Sequence, residues 1–232
     1  MKKYLFPILF TVIVIALLVF AVRASVSSSN DAKSSSTSPS STALSDEQKG
    51  QLKEGQSTGN KDAKVVVTEF ADFQCPACKV FEPTMKTVRE QYPDDVLVVF
   101  KHFPLYPQPH KNAQVASIAS EAAAAQGKFW PYHDILYEKQ DDWAELDDPK
   151  GKFAEYAQTV GLDVEKFKKD LDAEINLKVI EADKKFGTEI GIKGTPTIYI
   201  NGVVFNPQTG GGAEGFLAQV KAAVDQAKSS GQ

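Results

Sequence analysis

Three hydrophobic patterns follow one another along the chain. The first is a continuous apolar run from Leu5 to Val22, broken only by Pro7 and Thr11. As a helix its eighteen residues would span about 27 Å, close to a hydrocarbon core of about 30 Å. The apolar region of a cleaved signal peptide is shorter, about 7–15 residues. A transmembrane signal-anchor over residues 1–23 is therefore expected, with cleavage at Val22-Arg23-Ala24 as the alternative. Lys2 and Lys3 precede the run, which keeps the amino terminus in the cytoplasm and sends the rest outside. The second pattern, over residues 24–57, is almost free of large apolar residues and rich in serine. Such a segment cannot bury enough apolar surface to offset its ordering entropy, so it reads as a disordered linker. Asp46 to Gln56 is a candidate short polar helix at its end.

The third pattern, over 58–230, is that of a folded domain. Val65 to Phe70 and Val96 to Phe100 are short, β-branched apolar runs that predict buried strands. Between them Cys78, Phe81, Met85 and Val88 recur at three- and four-residue steps, one helical stripe. Pro76 suits the first helical position, and Pro83 inside the stripe predicts a kink. Helical patterns then cover 112–126, 131–139, 149–160 and 164–186, with Gly161 and Gly187 as expected stops. Thr197 to Ile200, Asn201-Gly202 and Val203 to Phe205 form a hairpin pattern, since Asn-Gly supplies the two positive φ angles of a tight turn. A last helix is expected over 213–227. This order predicts an α/β domain with an inserted helical block over about 108–190.

Composition narrows the function classes. With 26 Lys+Arg against 30 Asp+Glu, the chain lacks the basic excess of a nucleic-acid binder. Cys75 and Cys78 are the only two cysteines, which excludes a disulfide-stapled miniature fold and a four-cysteine zinc site. None of the three histidines, His102, His110 and His133, has a helical i, i+4 partner histidine. No metal and no organic cofactor are expected. Gly210-Gly211-Gly212 lacks the Lys-Ser/Thr of a phosphate loop and reads as a flexible turn.

The cysteines carry the chemistry. Cys75 at a helix start lies beside unpaired N–H groups and the positive end of the helix dipole. Both favour the thiolate, the nucleophile of disulfide exchange. Cys78, one turn on, points to the core and is close enough to resolve a mixed disulfide. A purely structural disulfide closing a loop of about four residues stabilises by only about 2 kcal/mol, against almost 5 for a hundred-residue loop. Redox exchange is the better use of the pair.

Glu69 to Cys78, Gly127 to Asp134 and Gly194 to Gly202 resemble, in that order, three segments of the DsbA-like branch of the thioredoxin superfamily. The resemblance implies a thioredoxin fold with an inserted helical subdomain, and a membrane-anchored thiol-disulfide oxidoreductase acting on exported proteins. It implies Cys75 as nucleophile, Cys78 as resolving thiol and Glu69 as a buried acid that accepts the inner thiol's proton. Thr195 and a cis Pro196 would face the disulfide and bind the incoming polypeptide as an added strand. A membrane redox partner would recycle the enzyme. Ala77 stands where strong oxidases have histidine, and Thr195 where the best-known oxidase has valine. The direction, oxidase against reductase or isomerase, thus stays open beside a third reading, a binding module with a structural disulfide. His133 is expected to pack in the insertion; Lys101 and His110 are candidates for the neighbourhood of the site.

Overall fold

A computed structural model describes residues 44–172 and 174–230. The expected anchor and most of the linker lie outside the described residues. Among the described residues, no helix is long and apolar enough to cross a membrane. The folded part begins before the expected boundary at residue 58. Ser45 accepts from the Gln48 N–H and Gln48 from the Ser45 N–H, a reciprocal cap that opens α1 (Asp46–Gln51). Leu52 after it is buried against Phe70, Phe186 and Tyr199. Strand β1 (Gln56–Gly59) then pairs antiparallel with β3 (Val96–His102). Serine richness hid a strand whose pairing is supplied from about forty residues away.

β2 (Val65–Ala71), parallel to β3 and antiparallel to β4 (Thr197–Ile200), is the central strand of the order β1-β3-β2-β4-β5, with β5 (Val203–Phe205) at the edge. All seven β2 residues are buried, which explains the continuous rather than alternating apolar run. The β4–β5 turn forms as expected, with positive φ at Asn201 and Gly202. Helix α2 (Pro76–Gln91) links β2 to β3 and runs unbroken through Pro83. Its Phe81, Met85 and Val88 share a core with Val65, Val67, Ile198 and Ile200 of the sheet and Phe216 and Val220 of α9 (Gly212–Ser229).

The inserted block comprises α3 (Ala113–Ala124), α4 (Phe129–Glu138), α5 (Gln140–Trp143), α6 (Lys150–Thr159), α7 (Val164–Asp170) and α8 (Glu174–Glu189). Its core, around Tyr132, Trp143, Phe153 and Phe167, is continuous with Phe73, Phe100 and both cysteines. Two expectations change here. The helical pattern over 164–186 is divided after Asp170, whose carbonyl accepts the Asn176 side-chain amide at 2.7 Å. Gly187 is not a stop: it lies inside α8, where a Cβ would sit 2.8 Å from the Phe103 ring. The stop is Gly191 at φ +87°, with Ile192 N–H bonded back to Gly187 C=O.

Candidate active site

The end of the central strand and the start of α2 place three ionisable groups together. Cys75 is the N-cap of α2, in extended backbone conformation, with Pro76 at the first helical position. Its sulfur is 3.4 Å from the Thr195 carbonyl oxygen. Both cysteines are thiols; Cys75 is 6% exposed and Cys78 is fully buried. The Cys75 pKa falls to about 5. The hydrogen bond from the Cys78 thiol is the largest cause, with further donation to the thiolate from the Thr195 hydroxyl and the Cys78 and Ala77 N–H groups, against an opposing burial effect. The Thr195 Oγ1 is buried and has no hydrogen-bond partner among the described residues, and its hydroxyl favours the Cys75 thiolate. Cys78 moves the other way: burial, the bond it gives to Cys75 and the charges of Glu69 and Cys75 raise its pKa.

Glu69 is 3% exposed, between Phe100 of β3 and Ile198 of β4 in register. It is not an edge residue. Burial, then the Glu82 carboxylate, push its pKa to about 8, with Arg89 opposing and Cys75 adding to the rise. A carboxyl that titrates near neutral pH beside a high-pKa thiol is suited to holding that thiol's proton.

Thr195-Pro196 is a cis peptide, as expected; Tyr106-Pro107 and Gln108-Pro109 are cis as well. Beside Thr195 and Pro196 opens a groove of about 730 Å³ bordered by Pro76, Val80, Val204 and Phe205. Val80 is 78% exposed on one wall, and the edge strand β5 forms another. An extended chain laid there would run past Pro76 and Ala77, next to Cys75 in sequence, with the edge strand β5 on its other side.

The other candidates separate. His133 is fully buried among Phe73, Phe100, Phe129 and Trp130, bonded to Asp134 at 2.9 Å. Lys101 is held by Asp183 at 2.8 Å, away from the thiols. His110 reaches Asp72, three residues before Cys75, at 2.6 Å. Sequence reasoning missed the polar residues that shape the redox turn. Gln140 donates to the carbonyls of Phe73 at 2.7 Å and Cys75 at 3.2 Å. Gln74 accepts from the Asn112 N–H at 2.7 Å and donates to Ala144 C=O, which the Asn112 amide also reaches. Only Gln74, between Phe73 and Cys75, carries a sequence signal, a polar residue flanked by apolar ones; Gln140 lies in the charged run Lys139-Gln140-Asp141-Asp142 and gives none. Glu82, His133 and Asp134 lie within metal-ligating distance of one another. The Arg89 guanidinium already occupies that cluster, at 2.7 Å from Glu82 and 2.8 Å from Asp134.

A family model described as thioredoxin matches residues 51–222. The Na(+)/H(+) antiporter NhaA 1 of Mycolicibacterium vanbaalenii is 36% identical over 149 residues, 62% of this chain and 23% of that one. The chain thus spans about a quarter of the length of the curated relatives it matches. Oxidised BdbD from Bacillus subtilis superposes with a TM-score of 0.63 at 27% identity, over 73% of this chain and 92% of that one. Wolbachia pipientis alpha-DsbA1, at 19% identity, shares the fold with a TM-score of 0.66, over 76% and 94% of the two chains.

Proposed function

Since the chain belongs to the thioredoxin family, we propose that it is a thiol-disulfide oxidoreductase of the DsbA type whose Cys75–Cys78 disulfide oxidises exported proteins. The observation that carries this reading is the opposed behaviour of two thiols one helical turn apart, one near pKa 5 and the other well above the ordinary range. A substrate thiolate attacks the disulfide at the Cys75 sulfur, forming a mixed disulfide and expelling Cys78 as a thiolate. That sulfur takes a proton, and Glu69, titrating near 8, is the adjacent group able to supply it. A second substrate thiolate then attacks the substrate sulfur, closing the substrate disulfide and releasing Cys75, a good leaving group because its thiolate is stable.

The low Cys75 pKa also supports the oxidising direction over reductase or isomerase work. A stabilised thiolate stabilises the reduced protein, so the disulfide form is the stronger oxidant. The likeness to oxidised BdbD supports the same class. The apolar run over residues 5–22 supports a membrane-anchored protein with its redox domain outside the cytoplasm, where a membrane partner reoxidises it. The test is an equilibrium of the purified disulfide form with a glutathione buffer. A potential well above that of thioredoxin, about −270 mV, supports oxidation; a potential at or below it makes the protein a reductase.

A further inference from the structure

Asp72 lies in the turn between β2 and α2 and touches both halves of the redox pair through its backbone. Its carbonyl accepts the Cys75 N–H at 3.0 Å, and its N–H donates to the Cys78 sulfur. Its carboxyl is fully buried. One carboxyl oxygen accepts the Gln74 N–H at 2.7 Å; the other accepts the Leu105 N–H at 2.9 Å and faces His110 Nδ1 at 2.6 Å. His110, 13% exposed, sits on the segment between β3 and α3.

A carboxylate taken wholly out of water is costly unless a cation or a full set of donors compensates it. Two backbone N–H groups and one imidazole meet this one. A carboxylate left without its cation would raise the energy of a thiolate formed beside it. We propose that Asp72 and His110 form a charge-neutral pair that sets the reduction potential of the Cys75–Cys78 couple, with His110 a positioning residue acting through Asp72. The proposal rests on the redox reading of that couple.

The exchange equilibrium of the full-length protein with glutathione (protein disulfide plus two glutathione thiols against protein dithiol plus glutathione disulfide) reads the effect. His110→Gln keeps a hydrogen-bond donor and removes the charge. It should lower the equilibrium constant about tenfold, about 30 mV for a two-electron couple. It should also raise the pH at which the Cys75 thiolate absorbance appears. Asp72→Asn combined with His110→Gln restores neutrality and should return the constant toward the wild-type value. A purely structural contact predicts the reverse, with the double variant at least as far displaced as the single one. Should the double variant fail to fold, His110→Lys against His110→Gln decides, since the lysine keeps the charge and should keep the potential. An unchanged constant in His110→Gln, no recovery in the double variant, or equal shifts for Lys and Gln would overturn the proposal. Absence of any exchange in the wild-type protein would instead overturn the redox reading beneath it.

Discussion

At Cys75 the sequence converts a backbone position into a reactivity. An N-cap residue usually uses a side-chain oxygen to satisfy the first N–H groups of its helix; Cys75 makes no such cap bond, and its anion is stabilised by the Cys78 thiol first, then the Thr195 hydroxyl and the Cys78 and Ala77 N–H groups. With a pKa of about 5, nearly all of Cys75 is thiolate at pH 7, against about 3% for a free thiol. Ultraviolet titration of the reduced protein should show one thiolate with a midpoint near pH 5; a single midpoint near that of a free thiol would contradict the site's electrostatics. Glu69 works in the opposite sense. Its folded-state pKa of about 8 exceeds its ordinary 4.5, so the fold favours the protonated acid. Between these values the unfolded chain ionises and the folded one does not, and stability is lost as pH rises through that window. Glu69→Gln should therefore be more stable than wild type to urea at pH 8 and little changed at pH 4. The same variant should slow exchange several-fold. Equal stability gains at both pH values would show that Glu69 does not titrate as described.

At the scale of elements, local signals and distant partners divide what the sequence reveals. The strand–CxxC–helix unit and the Asn201-Gly202 turn were legible because each is set by residues within a few positions; Glu69 was singled out by the family resemblance, and its burial is supplied by strands far away in sequence. Gln140 was not legible, because its bonds to the Phe73 and Cys75 carbonyls span 65 residues or more. The Gly187 misreading has the same origin: its glycine signals close approach of the Phe103 ring from another element, not a helix end. Gly187→Ala keeps helix propensity but forces that ring aside, so a loss of about 1–3 kcal/mol is expected in chemical denaturation. A stabilised variant would show that the Phe103 contact yields freely. Gln140→Leu removes the donor of the Phe73 carbonyl and leaves the Cys75 carbonyl with the Lys79 N–H alone, and about 1–3 kcal/mol should be lost. Because those carbonyls shape the Cys75 turn, its thiolate titration should also broaden or shift. An unaltered titration would confine Gln140 to a role in stability.

At the scale of the whole molecule, the inserted helices and the sheet share the core that buries Cys78, while the groove beside Pro196 reaches the redox turn at Pro76 and Ala77, the two residues that follow Cys75. The hydrophobic run at residues 5–22 and the serine-rich segment after it fit a domain tethered outside the membrane. Protease added to intact spheroplasts should then remove the redox domain; its complete protection would place the domain inside, where disulfide formation is disfavoured. Division of labour between the two thiols is the central claim, and trapping of mixed disulfides in cells reads it most directly. Cys78→Ala should accumulate reducible high-mass adducts joined through Cys75 to exported proteins, because the resolving thiol is gone. Cys75→Ala should accumulate almost none, because its remaining thiol is fully buried and poorly ionised. Equal trapping by the two variants, or none by either, would contradict Cys75 as nucleophile.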